Sequence, residues 1–350
     1  MGRCIAQQTT YVGADLHRSF TQFNAQDEKG KEIAARKVNN SEEEIVGFLS
    51  TLPGRVKVAV EATGNSAWFC DVVRGAGWEV IMAHPRETRA KSGTREKNDR
   101  FDARMLATLL RGNLIEKKCW QAPEDVRRIR ERLRNMQFQT KIATACKNKV
   151  HSILIKLNVK SPWRDAFCKK GRLFLRDLDA APEYKTVIAG CLEIIELAEK
   201  HGEQDMEYCR QLAREDPLVE LLDSIPGVGE QLAALIRYET GDIERFRSAA
   251  AYVNYTGLVP GKEQSSGHSR EIGITKEGSG WLRWAFVEAA QHAARSRGRL
   301  SRFYWKHMIK KKKHGAAITA TAREIAVIAY YIMTRRQGYY EPLATDKKAS

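Results

Sequence analysis

Residues 11–38 read YVGADLHRSFTQFNAQDEKGKEIAARKV, and this stretch decides the fold of the N-terminal region. β-Branched and aromatic residues collect in three short runs, which predict strands at Tyr11–Leu16, Phe20–Ala25 and Glu32–Val38. Lys29-Gly30 marks the turn between the last two runs. We therefore expect the chain to begin with a three-stranded meander.

Alternating helices and strands follow the meander. Ser41 and Glu44 form a capping box that predicts a helix ending near Leu52. Apolar runs then predict strands at Lys57–Ala62 and Trp78–His84, with helices at Asn65–Ala76 and Asp99–Leu110. The resulting order, βββαβαβα, is typical of the ribonuclease-H-like fold, although several α/β folds begin in the same way.

The middle of the chain carries a different periodicity. Apolar residues from Val126 to Leu157 recur at alternating steps of three and four, which is the heptad pattern of a coiled coil. A second helical stretch, Glu183–Glu215, could pair with the first one in the same chain or between chains. Two interpretations stay open, namely a dimerisation arm and a helix that packs on its own domain.

A third region begins near Pro217 and is mainly helical. Leu221–Ile236 predicts two helices around a tight turn, and a Gly- and Ser-rich segment, residues 257–280, follows as a polar loop. Ala316–Met333 is apolar but is interrupted by Arg323-Glu324, so it predicts a packed helix and not a membrane span. With 350 residues, we expect three domains, at residues 1–120, 121–216 and 217–350.

The charge balance points to a polyanionic partner. The chain has 59 Lys and Arg residues against 43 Asp and Glu residues, a formal net charge of +16. Nucleic acid is the usual partner of so basic a protein, although a cationic surface can also serve solubility alone. The seven cysteines include no CxxC pair, and no secretory signal pattern is present, so we expect buried free thiols in a reducing cytosol.

Four acidic residues are the candidate catalytic group. Asp15 and Glu61 each follow an apolar strand, and Asp99 and Asp102 lie three apart on a helix, so they share one face. If the strands are neighbours, these acids meet at one sheet edge, where Mg²⁺ or Mn²⁺ would compensate their charge and assist phosphodiester cleavage. Taken singly, each acid could equally be an ordinary cap or surface residue.

Two further segments have compositions suited to nucleic acid. The turn Ile225–Gly229 resembles a helix-hairpin-helix turn, in which Gly227 and Gly229 would let a phosphate approach, or it is a structural turn. Residues 295–313 contain nine basic residues and no acid, so they predict a phosphate-binding segment or a solvated charged face. The candidate nucleic-acid ligands are Arg100, Arg104, Gly227, Gly229, Lys262, Arg270, Lys276, Lys310, Lys311 and Lys312.

A serine in the polar loop is a candidate nucleophile. Ser265-Ser266-Gly267 lies among Lys262, Arg270 and Lys276, where cations could meet the charge that develops during attack on phosphorus. Composition alone, however, favours an ordinary solvated loop serine.

Several of these segments together resemble a known family. Gly13-Ala14-Asp15, Val60–Gly64 and Lys97–Arg104 are similar to the DEDD motif of the IS110 family of transposases, in its IS1111 branch, which is related to the Piv DNA invertases. In the third region the resemblance continues, in the same order, through Ile225–Gly229, Tyr255–Pro260, Ser265–Gly267, Ile274–Gly278 and Leu282-Arg283.

The resemblance implies more than the residues do by themselves. It implies a RuvC-like, ribonuclease-H-like N-terminal domain, a coiled-coil linker and a C-terminal transposase domain whose nucleophile is Ser266, with Ser265 as the alternative. It also implies DNA excision and insertion by a homo-oligomer, a dimer or tetramer, guided by a non-coding bridge RNA. Two other functions use the same features: a RuvC-like nuclease that resolves Holliday junctions by metal-assisted hydrolysis, and a non-catalytic nucleic-acid-binding protein.

Overall fold

The computed structural model describes residues 8–86, 88, 98–265, 268–275 and 277–341, with the backbone alone between 262 and 272. Within it the chain divides into two compact units, residues 1–122 and 123–350. The first unit is mixed α/β and the second is mostly helical. This confirms the predicted change of fold class along the chain.

One five-stranded sheet organises the first unit, in the order β3-β2-β1-β4-β5. The first three strands are antiparallel to one another, and β4 and β5 run parallel to β1. The predicted meander and the α/β part after it are therefore confirmed. The strands are β1 Thr9–Leu16, β2 Phe20–Gln26, β3 Glu32–Asn39, β4 Arg55–Glu61 and β5 Glu79–Ala83.

Three helices cover the sheet on both faces. They are α1 Glu42–Ser50, α2 Ser66–Gly75 and α3 Asp99–Arg111. The α1 and α2 side encloses the larger core, in which Phe23, Ile45 and Phe69 are fully buried. The α3 side encloses a smaller core around Leu106. Both faces of the sheet are thus covered by apolar packing, although Gln22 and Asn24 inside β2 are also buried.

Nine helices and one hairpin make up the described part of the second unit. The hairpin strands, β6 Pro260–Ser265 and β7 His268–Ile274, replace the predicted polar loop. The sequence of these strands is mostly polar, so it lacks the regular apolar alternation that would have predicted them. The helices are α4 Glu124–Lys156, α5 Lys169–Arg176, α6 Pro182–Glu215, α7 Pro217–Asp223, α8 Glu230–Thr240, α9 Ala249–Tyr255, α10 Gly280–Arg295, α11 Arg299–Lys311 and α12 His314–Arg335.

The apolar heptad positions of α4 pack against helices of the same chain. Leu133 and Met136 are buried with Cys209 of α6, and Val150 and Leu154 are buried in a second cluster at the other end of the same helix pair. The two long helices are therefore antiparallel partners, which is the packing alternative that the sequence left open. This packing leaves other residues of α6 to face solvent.

The most apolar helix is the central helix of the second unit. α12 is long and apolar enough to cross a membrane by length and composition, but half of its most hydropathic window is buried inside the protein. Its Ala322, Ile325 and Ala329 are buried in the same core as Phe286 of α10. The expectation of a packed helix in this segment is met.

A buried carboxylate joins α4 to α8. Glu239 is 2 % exposed, and it accepts from Nε and Nη2 of Arg134 at 2.5 and 3.0 Å. Arg130 donates to the backbone carbonyls of Tyr238 and Glu239 at 2.7 and 3.0 Å. Burial lowers the pKa of Arg130, and the Glu239 carboxylate opposes that effect. The buried Glu239 carboxylate serves two guanidinium groups, with Arg130 11% and Arg134 32% exposed, so losing it removes the charge that opposes the desolvation of Arg130.

We expect Glu239→Ala to lower the free energy of unfolding by about 3–5 kcal/mol, because it removes the buried carboxylate that compensates the desolvation of the Arg130 guanidinium and binds Arg134. Urea unfolding followed by tryptophan fluorescence measures the change. Glu124→Ala is the matched control, since the Glu124–Arg128 pair is exposed and 3.7 Å apart; its loss should cost at most about 0.5 kcal/mol. Equal effects of both substitutions would show that burial is not what makes Glu239 matter.

Candidate active site

The first two acids end neighbouring parallel strands. Ala14 of β1 pairs with Val60 of β4, so Asp15 and Glu61 follow directly at the same edge of the sheet. Both side chains are partly buried. The expectation that these two strand ends would be neighbours is confirmed by the strand register.

Glycine at position 13 brings the other two acids to this edge. A Cβ atom on Gly13 would lie 1.9 Å from the carbonyl oxygen of Ala103 and 2.5 Å from the amide nitrogen of Ala107. Only a residue without a side chain therefore allows α3 to lie this close to β1. Gln26 of β2 also donates to the Arg104 carbonyl at 3.2 Å, which holds α3 across the sheet.

The first turn of α3 consequently lies beside Asp15. Asn98 caps this helix by accepting from the Arg100 amide at 3.1 Å, so the helix starts at Asp99. Asp99 and Asp102 both act electrostatically on Asp15. Three of the four predicted acids are thus neighbours.

A histidine that sequence reasoning missed completes the cluster. His17 Nε2 lies 2.9 Å from Oδ2 of Asp15 and 3.5 Å from Oδ2 of Asp99. The His17 ring stacks on Phe20 at 4.5 Å, and Asn40 and Asn65 both donate to its carbonyl, at 2.8 and 2.9 Å. Its spacing of two residues from Asp15, on the same side of an extended strand, was the available signal.

Burial and neighbouring charges both act on the carboxyl group of Asp15. Burial raises the pKa of Asp15, the neighbouring His17 opposes that rise, and the negative charges of Asp102 and Asp99 add to it. The ionised form is therefore disfavoured where the acids meet. A bound divalent cation would reverse this balance, since it would offset both the desolvation and the mutual repulsion.

Glu61 is held by a separate partner. Its Oε1 accepts from the hydroxyl of Thr88, a residue that is almost fully buried and that also donates to the Pro85 carbonyl at 3.0 Å. This arrangement fixes the side chain of Glu61 at the end of β4. Thr88 was not singled out from the sequence, since nothing in its local pattern marks it.

The donor set fits a divalent cation. The ligand atoms of Asp15, His17 and Asp99 all lie within 4.8 Å of one another. Carboxylate oxygens suit Mg²⁺ and Mn²⁺, and an imidazole nitrogen shifts the preference toward Mn²⁺ and later transition metals. Asp102 acts electrostatically on Asp15, and Glu61 follows the neighbouring strand, so both are candidates for further oxygen donors.

We expect Gly13→Ala to separate α3 from β1, because the atoms that a Cβ would meet are backbone and cannot rotate away. Stability should fall by about 1–3 kcal/mol, and Mn²⁺ binding followed by electron paramagnetic resonance should weaken. Gly47→Ala is the control: no atom lies within 4 Å of a Cβ at this helical position, so stability should rise by about 0.5–1 kcal/mol. Unchanged metal binding in Gly13→Ala would contradict the role given to this glycine.

Comparison with known proteins agrees with this geometry. Residues 12–158 match the profile of the DEDD transposases of the IS110 type, and residues 219–305 match the transposase profile of the IS116/IS110/IS902 family. The chain belongs to the IS110 family of transposases. It is thus a DNA-processing enzyme of an insertion sequence.

Curated relatives match this chain over most of their own length. The transposase of IS1111A from Coxiella burnetii is 26% identical, over 94% of this chain and 90% of the relative. The transposase of IS1328 from Yersinia enterocolitica is 24% identical, over 93% and 97%. A probable family 20 transposase from Pseudomonas aeruginosa is 22% identical, over 94% and 98%.

The β6–β7 hairpin is the described structure nearest in sequence to the candidate nucleophile of this transposase. Ser265 pairs with His268 as the last pair of its ladder. Ser266 and Lys276 lie outside the described residues, and for Lys262 and Arg270 the backbone alone is described. The hairpin corrects the expectation of a loop, but the predicted roles of these four residues stay predictions.

The two glycines of the predicted helix-hairpin-helix turn differ in their surroundings. Gly227 has a φ of +91°, and a Cβ there would lie 2.3 Å from the carbonyl oxygen of Ala289 in α10. Gly227 thus allows close packing inside the second unit. Gly229 is exposed at the N-cap of α8 with open space around it, so the phosphate-binding prediction rests on Gly229.

The predicted basic ligands are exposed wherever their side chains are described. Arg100 and Arg104 lie one turn apart on α3, next to the acids. Lys310 and Lys311 end α11, and Lys312 is its left-handed C-cap. The basic run therefore forms a helix and its C-terminal turn, with Tyr304 buried and Trp305 exposed.

Proposed function

We propose that this transposase is an RNA-guided recombinase that cuts and rejoins DNA strands through Ser266, together with a metal-binding cluster of Asp15, Glu61, Asp99 and Asp102. The observation that carries the proposal is the meeting of Asp15 with the first turn of α3 in a chain of the IS110 family. Mg²⁺ or Mn²⁺ is the proposed cofactor, and donor DNA, target DNA and a non-coding bridge RNA are the proposed partners in the bacterial cytoplasm.

The strand order supports a RuvC-like, ribonuclease-H-like first domain. A three-stranded meander followed by two parallel strands, with acids at the ends of β1 and β4, is the arrangement expected of that fold. When bound, the metal would supply positive charge for the phosphate and leaving oxygens. The chain's own contribution is to hold the acids: Thr88 orients Glu61, and His17 orients Asp15. Residues 121–216 and 217–350 remain the proposed linker and C-terminal transposase domains.

Charge supports the nucleic-acid partners. A net charge of +16 favours binding to phosphate backbones, and affinity should fall steeply with salt through counterion release. Arg100, Arg104, Gly229 and Lys310 are exposed candidates for these contacts.

The test of the whole proposal is a strand-exchange assay with purified components. The full chain is mixed with two DNA duplexes, Mg²⁺ and the non-coding RNA of its own element, and recombinant junctions are sequenced. We expect exchange with the RNA and none without it, and a redirected target when the guide segment is changed. Cleavage without rejoining, at branched DNA and without RNA, would instead establish the junction-resolving nuclease.

We propose that the active form is a dimer or tetramer, because exchange between two duplexes needs at least two active sites. The seam of α4 is occupied within the chain, whereas Val187, Ile194 and Leu197 of α6 are exposed at heptad-like spacing. Light scattering of the nucleic-acid complex should give two or four chains, and Ile194→Glu with Leu197→Glu should reduce that number. An active complex containing one chain would refute this part.

A further inference from the structure

A cationic cleft lies at the base of the β6–β7 hairpin, where the two strands begin and end. It has a volume of about 810 Å³, and its walls include Pro260 and Ile274, the first and last residues of the hairpin ladder. The opposite wall is the α11–α12 turn with Lys311 and Lys313, and Arg323 of α12 lines it as well. All of these residues belong to the second unit.

The cations of this cleft are distinguished from their neighbours by lacking acidic partners. Arg299 and Arg302 of the same basic run form ion pairs with Glu324 and Glu341. Among the described residues, by contrast, no acid pairs with Lys311, Lys313 or Arg323, and no acid lines the cleft. Three exposed positive charges around one concave surface are suited to an anionic ligand.

The floor of the cleft suits a ligand that approaches the backbone closely. Gly273 and Gly315 both line it, and neither would place a Cβ within 4 Å of another atom. Gly315 is in the first turn of α12, a helix whose N-cap has no side-chain hydrogen bond. Amide groups in that turn are therefore left for a ligand oxygen, in addition to the three cations.

We propose that this cleft holds the sugar-phosphate backbone of the DNA strand that the hairpin serine attacks. The proposal rests on the proposed function, because the hairpin root forms one wall of the cleft. Five residue steps separate Pro260 from Ser265, which is about 17 Å of antiparallel strand. A DNA strand advances about 3.4 Å per nucleotide, so the cleft would contact phosphates up to about five nucleotides from the attacked one.

The first test measures DNA binding by the full chain. The triple variant Lys311→Ala, Lys313→Ala, Arg323→Ala is compared with Lys160→Ala, Lys169→Ala, Lys170→Ala, which removes the same charge from exposed positions elsewhere in the second unit. We expect the cleft variant to bind a DNA duplex about tenfold or more weakly, with a salt slope reduced by up to about 2.7, or 0.9 per phosphate contact. The control variant should change affinity less than about threefold by the same relation.

The second test repeats the binding measurement with RNA of equal length, to show whether the cleft binds the backbone of DNA or of RNA. We expect the cleft variant to retain most of its affinity for an RNA hairpin, since the cleft is assigned to the attacked DNA strand. Equal loss for the cleft and control variants, or a loss confined to RNA, would overturn the proposal. Thermal unfolding of each variant checks that the substitutions leave the fold intact.

Photocrosslinking locates the contact and separates this proposal from the proposed function. A photoreactive group is attached to successive phosphates of the DNA, and crosslinked peptides are identified by mass spectrometry. We expect crosslinks to residues 311–323 within about five nucleotides of the cleavage position, and crosslinks only elsewhere would refute the assignment. If Ser266 proved not to be the nucleophile, the binding and crosslinking results would be unchanged. The experiments therefore distinguish failure of the cleft assignment from failure of the proposed function.

Discussion

Ser266→Ala should abolish the covalent protein–DNA adduct that the wild-type transposase forms on a nicked suicide substrate. In the proposed step the serine oxygen forms a bond to phosphorus, one DNA phosphoester bond breaks, and the released DNA hydroxyl takes up a proton while the serine hydroxyl loses one. The phosphoserine ester keeps the energy of the broken bond, so the ends can be rejoined without an external energy source. Denaturing gels and mass spectrometry of the adduct measure the effect.

Ser265→Ala is the matched control for this prediction. Ser265 is the adjacent serine in the sequence, and we expect adduct formation to persist when its hydroxyl is removed. The reverse pattern would move the nucleophile to Ser265. Normal strand exchange with no adduct from any variant would leave water or a DNA hydroxyl as the attacking group.

Asp15→Asn and Asp102→Asn should each reduce recombination by on the order of 10²–10³-fold or more, because each removes a charge that stabilises the reacting phosphate through the bound cation. DNA binding should remain within about twofold, since the acids do not attract phosphate. Mn²⁺ affinity should fall together with activity. Recombination and metal binding are measured on the same preparations.

Glu43→Gln controls for the lost charge. Glu43 is exposed in the first turn of α1, a helix that packs on α2 and β3, so recombination and Mn²⁺ affinity should stay at the wild-type level. A chelator in excess should abolish wild-type activity. Full recombination activity in excess chelator, or equal losses of activity in Glu43→Gln and Asp15→Asn, would show that the reaction does not need a metal bound by these acids.

Much of the fold follows from local pattern. The runs of β1 to β5 and the capping box at Ser41 and Glu44 predict their elements to within a few residues, because each depends on side chains close in sequence. The β6–β7 hairpin does not follow in this way, since its strands have no apolar face. α5 and α9 were also missed, because helices of seven or eight residues carry too few turns for a periodic pattern.

Some residues of the candidate site could be selected from local sequence, and others could not. The four acids can be selected from strand ends and helix spacing, and the family resemblance adds the serine. His17 and Thr88 were not selected, because their roles come from contacts across the sheet edge. The packing role of Gly227 was also hidden, since the helix it approaches, α10, is distant in sequence.

The sequence by itself determined the order of elements in the first unit, the choice of the four candidate acids, the basic character and the family. Only the tertiary structure decided that the α4 seam is filled within the chain, that Gly13 brings α3 against β1, and that Lys311, Lys313 and Arg323 share a cleft at the hairpin root. The physical reason is that propensity, capping and periodicity act over one or two turns of chain. Close approach and charge pairing depend on which distant backbones meet, and that is set by packing.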